Sequence, residues 1–216
     1  MIEQLFGFPV YRASLKDEKY ERKKIISTIE KNFKKDPIRN AWDSKGDLAS
    51  VMHHSYDDKN NDFLKPDYKS LLPIYKKHVE LYLNEMSFID NFSYKYEIVN
   101  YTCMKENQYM VPHVHRDCDF SAVHYVQYDD VINNSTLFYN GNSQYLCNYI
   151  EDNRTSLFSK INYRLPHNAW MFKNFKYATK KDDLVIFPAY LEHSVPHVKK
   201  SNKNRITIAF NISISN

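Results

Sequence analysis

Glycine and cysteine are both scarce in this 216-residue chain, with three of each. Three scattered cysteines, Cys103, Cys118 and Cys147, make no disulfide framework, which excludes the stapled secreted scaffolds. The low glycine goes with an excess of Tyr, Asn, Lys and Ile, as an AT-rich genome produces, and carries no functional content. No apolar run approaches the ~18–20 residues of a membrane span. The opening Met1-Ile2-Glu3-Gln4 lacks the basic and apolar regions of a secretory signal. Charge of one sign is missing too: 30 basic against 26 acidic residues leave +4, too mild an imbalance for a nucleic-acid footprint. No internal repeat, low-complexity tract or Gly/Ser/Pro linker stands out. Against these absences stand 43% hydrophobic and 15% aromatic residues, which argue for a packed core rather than disorder. We expect a cytoplasmic protein of one domain over residues 1–216, helical over 1–90 and β-rich over 91–216.

The helical part rests on two segments. Asp17 to Lys35 reads as a helix with Ile26, Ile29 and Phe33 on one face. A second helix starts near Leu72-Pro73, where proline suits the first turn. Its Tyr75, Val79, Tyr82, Leu83 and Met86 form a core-facing stripe. Residues 40–66 carry no clear period and read as irregular chain over a cleft. After Asn91 the period falls to two, over Tyr94–Ile98 and Phe120–Tyr128. Short β-like runs follow at Thr136–Tyr139, Ala169–Phe172 and Leu184–Phe187. The last strand is the clearest. From Arg205 to Ile214 one face is wholly Ile and Phe, and the other carries Arg205, Thr207, Ala209, Asn211 and Ser213. Small polar residues around one arginine suit a pocket. The pattern predicts a mostly β, α+β protein: a C-terminal β-barrel flanked by N-terminal helices.

The stretch that carries chemistry is Pro112-His113-Val114-His115-Arg116-Asp117-Cys118-Asp119-Phe120. On an extended chain, residues two apart face one side, so His113, His115 and Asp117 can converge. Two imidazoles and a carboxylate on one face of the metal are the ligand set of non-haem Fe(II) oxygenases. A further ligand must come from a distant strand, and His193, after the apolar run Leu184–Phe187, is the candidate. Arg205 follows 12 residues later. An antiparallel hairpin would set it near the metal, ready to grip a carboxylate with both arms of its guanidinium.

These pieces resemble the 2-oxoglutarate and Fe(II)-dependent oxygenases, most closely the prolyl-hydroxylase-like group of marine bacteria and their phages. The resemblance rests on four ordered motifs: His113–Tyr125, Asp183–Pro188, His193-Ser-Val-Pro196 and Arg205–Asn211. The opening Gln4–Tyr11 is similar as well. The resemblance implies a double-stranded β-helix of jelly-roll or cupin type that holds Fe(II), with 2-oxoglutarate as cosubstrate and ascorbate as an accessory reductant. It also implies hydroxylation of a second substrate coupled to formation of succinate. Arg205, helped by Thr207 and Tyr125, would bind the far carboxylate of the cosubstrate. For a phage protein the compartment would be the host cytoplasm.

The proximal motif has two readings. His115 and Asp117 with His193 keep the usual carboxylate, which neutralises part of the metal charge, and we favour that set. His113 and His115 with His193 make a three-histidine site. A zinc site drawing on Cys118 lacks paired Cys-x-x-Cys spacings. A nucleophilic Cys118 lacks a helix N-terminus or elbow to lower its pKa. A different class, a cupin-like metal-binding module without redox chemistry, would not need Arg205. For the substrate, the polar stretches 40–66 and 140–168 offer Trp42, His53, His54, Arg154, Arg164 and His167. These residues suit a peptide, a sugar or a nucleotide equally, and the resemblance tilts the expectation toward a protein or peptide side chain. The charge and the lack of apolar runs argue against nucleic acid and membrane, and the Tyr/Phe richness leaves room for a homodimer.

Overall fold

The computed structural model describes residues 2–39, 50–55, 62–86, 92–141 and 173–215. Trp42, Cys147, Arg154, Arg164, His167 and the run expected at Ala169–Phe172 lie outside them. Eleven described strands and two helices run in the order β1 (Ile2–Leu5), β2 (Phe8–Ser14), α1 (Arg22–Lys35), β3 (His53–His54), α2 (Leu72–Glu85), β4 (Ser93–Met104), β5 (Met110–His113), β6 (Phe120–Gln127), β7 (Leu137–Tyr139), β8 (Asn174–Lys176), β9 (Asp183–Pro188), β10 (His193–Val195) and β11 (Arg205–Ser215). They form two antiparallel sheets, β1-β2-β9-β6-β11-β4-β3 and β5-β10-β7-β8. No helix among the described residues is long and apolar enough to cross a membrane.

Period-two patterning decides which face of the large sheet meets what. On β11, Ile206, Ile208, Phe210 and Ile212 are fully buried and pack in one cluster with Ile25, Ile29 and Phe33 of α1 and Tyr75, Val79 and Tyr82 of α2. Ala122 and Val126 of β6 and Leu184 and Ile186 of β9 join them. The helices therefore cover the outer face, as their apolar stripes demand. The inner face packs on the small sheet through Tyr125, Phe138, Val185 and Phe187. Toward β4 the inner face carries Arg205, Thr207 and the small Ala209, and there a cavity opens between the sheets.

Three expectations need correction. Helix α1 begins at Arg22, not Asp17. The segment before residue 90 is not only helical, since β1, β2 and β3 all join the large sheet. β1 and β2 are linked by Phe6-Gly7 with φ of 56° and 85°. Two positive φ values make the type I′ turn that matches strand twist, and glycine takes its place there without strain. Finally, residues 40–66 contain β3, which pairs with Cys103 and Thr102 of β4.

A buried polar knot ties the helices to the sheet. Asp182, 1% exposed, turns into β9 at φ 68°. Its carboxylate meets Arg22 Nη2 at 2.7 Å and accepts the Tyr20 hydroxyl at 2.7 Å. His124 Nε2 lies 3.8 Å away, and His124 Nδ1 is 2.8 Å from the Tyr75 hydroxyl. Burial opposes the charge of Asp182, but His124, Tyr20 and Arg22 together hold its carboxyl below the usual range. Removing the anion would strand these partners. Asp182→Ala is expected to lower the unfolding free energy by about 3 kcal/mol. Urea denaturation measures this, and a loss under ~1 kcal/mol would show that water replaces the carboxylate.

Candidate metal and cosubstrate site

His113 ends β5 and His193 begins β10, and the two are directly paired across the small sheet. His115 follows β5, held by its backbone N–H to the Ala189 carbonyl at 2.9 Å. The ring centroids of His113 and His193 are 4.2 Å apart, those of His115 and His193 5.3 Å, and those of His113 and His115 5.4 Å. One nitrogen from each of the three lies within 4.8 Å of the others.

The second nitrogen of each ring is tied back. His113 Nδ1 is 2.9 Å from the Val111 carbonyl, and His193 Nδ1 is 2.8 Å from the Leu191 carbonyl. His115 Nδ1 is 3.2 Å from Asn211 Oδ1, which also accepts from Ser121 Oγ at 3.3 Å. A carbonyl oxygen can only accept, so Nδ1 carries the proton on each ring. Nε2 is then the nitrogen each ring could offer a metal, with the outer hydrogen bonds fixing tautomer and orientation. Burial keeps all three rings neutral: it pushes His113 down to about 4, lowers His115, and takes His193 well below its ordinary value. Neutral imidazole is the ligating form.

Asp117 is not in this group. The chain bends at Arg116–Asp117, and the side chain of Asp117 lines an open cleft of about 450 Å³ outside the cavity. The favoured set His115, Asp117 and His193 is therefore not the one the fold assembles; the three-histidine set is. The period-two argument fails because the extended chain stops at His113. Cys118 is also outside the group. Burial, with Asp119 and Asp117 nearby, raises its thiol to about 11, which disfavours the nucleophile reading.

Arg205 stands 1% exposed in the same cavity, but not by the expected hairpin. His193 is in the small sheet and Arg205 in the large one, so they face each other across the gap. Nε of Arg205 donates to the Asn134 carbonyl at 3.1 Å, and Nη1 approaches Met104 Sδ at 3.7 Å. Nη2 has no partner, and no carboxylate pairs with Arg205 among the described residues. The guanidinium lies 5.3 Å over the Tyr125 ring, whose hydroxyl is committed to Thr136 at 2.7 Å. Thr207 shares a 2.6 Å hydrogen bond with Thr102. Tyr125 thus steadies Arg205 from behind, while Thr207 lines the cavity itself.

A buried cation with an unused donor is costly unless an anion completes it. The cavity is narrow, and it meets the outer cleft at Asn100, His113 and His115, which line both. The donor set fits Fe(II) at the histidine end, and the unpaired Nη2 fits a carboxylate at the other. Sequence reading missed the roles of Asn134, which anchors Arg205, and of Asn211, which orients His115. Asn211 was visible only as a polar residue on the pocket face, and the Asn134 contact is through backbone and leaves no side-chain signal.

Register irregularities cluster around this cavity. Val99 is an extra residue in β4 opposite Ala209–Phe210, and further shifts fall between Ile206 and Ile208 and between His193 and Val195. Bulges re-aim side chains beside sites.

Residues 100–211 match the family model described as "Putative 2OG-Fe(II) oxygenase". No curated protein matches the sequence. Among solved structures, the chain is similar to a prolyl-4-hydroxylase of Pseudomonas putida, with a TM-score of 0.51 and 9% identity over 94% of this chain and 92% of that one. It is also similar to a prolyl hydroxylase of Trichoplax adhaerens, solved in complex with a hypoxia inducible factor oxygen degradation domain peptide fragment. There the TM-score is 0.55 and the identity 8%, over 94% and 83% of the two chains. At such identities the likeness is one of fold, the double-stranded β-helix. The family match is broader evidence, because it spans more than half of the chain and takes in His113, His115, His193 and Arg205. The chain belongs to the 2OG-Fe(II) oxygenase family and is an oxidoreductase whose cofactors are Fe(II) and 2-oxoglutarate.

Proposed function

We propose that the protein hydroxylates a peptide side chain, with His113, His115 and His193 holding Fe(II) and Arg205 holding the far carboxylate of 2-oxoglutarate. The observation that carries this reading is the buried, half-satisfied guanidinium in one narrow cavity with three neutral imidazoles. In the balanced reaction, dioxygen gives one atom to a C–H bond, making an alcohol. The other atom enters succinate as 2-oxoglutarate loses carbon dioxide. Bound iron would supply the redox chemistry that activates dioxygen. The chain supplies position: Arg205 sets the direction of the diacid, Thr207 lines its path, and the packed sheets exclude water.

A peptide is favoured by the rim. The cleft outside His113 and His115 is lined by Val99, Val114, Arg116 and Asp117, and it is continuous, through Val99, Asp117 and Asn211, with a second hollow bearing Lys95 and Glu97. Apolar contacts between charges of both signs suit a polypeptide better than a polyanion. The Trichoplax neighbour bound to a peptide fragment is in keeping with this.

The test is metal identity with cosubstrate turnover. Protein purified without oxygen should bind iron and, when air is admitted, form succinate from 2-oxoglutarate in an iron-dependent way, slowly and uncoupled. Tight zinc with no succinate would instead indicate a metal-binding module of the same fold.

A further inference from the structure

A fourth imidazole faces the same cavity and has no part in the metal cluster. His54 is 1% exposed and lines the cavity beside Thr102, Thr207, His113 and Arg205. Its position follows from strand register. His54 pairs with Thr102, and Thr102 pairs with Thr207, so the three occupy one cross-strand row. The neighbouring row pairs Met104 with Arg205, and the next pairs Asn100 with Ala209. Rows on one face are ~6.6 Å apart. His54 therefore stands one row from the arginine end, between that end and the three histidines. Its ring nitrogens are not among those within 4.8 Å of one another in the cluster, so it is placed to meet what binds there rather than the ion. An imidazole carries at least one ring N–H donor in either protonation state. Residue 54 also lies outside residues 100–211, the part that matches the family.

We propose that His54 contacts the cosubstrate, its ring N–H donating to the dicarboxylate that spans Arg205 and the three-histidine cluster. The inference rests on the reading given under Proposed function. The charge arithmetic favours it. Three neutral ligands leave the ion's charge unreduced, and none of the described residues lining the cavity is acidic, so the diacid supplies the anionic charge. Its oxygens accept more hydrogen bonds than Arg205 and Thr207 donate. A ring N–H of His54, one row from Arg205, is placed to satisfy one of the oxygens left over.

Binding without turnover tests this. 2-Oxoglutarate is titrated anaerobically into Fe(II)-loaded protein and followed by the visible charge-transfer band, with calorimetry on Mn(II)-loaded protein as a second readout. His54→Leu keeps volume and loses the donor, and His54→Gln keeps an amide N–H. We expect the leucine variant to weaken 2-oxoglutarate binding about tenfold, with metal affinity unchanged, and the glutamine variant to recover most of the loss. Should the leucine variant not fold, His54→Ala gives the same comparison. Unchanged 2-oxoglutarate affinity in the donorless variant would overturn the proposal, as would an equal loss of metal and cosubstrate. Wild-type protein that binds metal but no 2-oxoglutarate would instead overturn the reading on which it rests.

Discussion

Arg205→Met should abolish use of 2-oxoglutarate while leaving iron in place and the fold intact. Truncating one member of a buried charge pair costs about 4 kcal/mol, or ~1000-fold in affinity, because the other charge is left desolvated. The succinate rate at fixed cosubstrate should fall by a similar factor. Stability should move the other way, or not at all. Without cosubstrate, Arg205 is a buried cation with one unpaired nitrogen, and methionine fills similar space without that burden. The expected pair of results is a melting temperature equal to or above wild type and a cosubstrate affinity lost. A variant that forms succinate at the wild-type rate would remove Arg205 from the site.

His193→Ala should strip the metal, and Asp117→Ala should not. Apparent binding free energies of four-ligand structural zinc sites come to ~2.5–4 kcal/mol per ligand, and on that scale losing one of three histidines should weaken iron binding by about 10²–10³-fold. Asp117 lies on the open cleft, and its removal should change metal affinity by no more than about threefold. Competition with a chelator measures both. His193 also packs against Phe187 and Phe138, with ring centroids 4.8 and 6.2 Å away, so melting curves must separate loss of ligand from loss of fold. If Asp117→Ala empties the site as thoroughly as His193→Ala, the carboxylate ligand set returns.

How far the sequence reached depends on whether local period or distant pairing decides a feature. Strand β11 was legible because two demands, a core on one face and a pocket on the other, alternate for eleven residues. Helix α2 was legible for the same reason at a period of 3.6. Asp117 was misplaced because the bend after His115 is set by partners far along the chain: Ala189 accepts from His115 and donates to Asp119, which donates to Ile212. Nothing in residues 113–119 announces those bonds. The two-residue strand His53–His54 is too short to show any period, and its place follows wholly from β4. The first hairpin, despite its Phe6-Gly7 turn, pairs with β9 and so depends on residues far downstream.

That last pairing has a consequence in time. On a ribosome the β1–β2 hairpin is made long before its neighbour in the sheet: Ser14 pairs with Asp183, 169 residues later. At ~5–20 residues per second, the hairpin waits on the order of 10–30 s with one edge unpaired and Val10 and Tyr11 uncovered. An isolated two-stranded hairpin is marginal at best, so little of it persists through that interval. Synthesis therefore gives this chain no early native sheet to build on. Both borders of the large sheet, β1 and β3, come from the first third of the chain. A fragment trimmed to the family-matched residues would present two raw strand edges in their place, an invitation to aggregate.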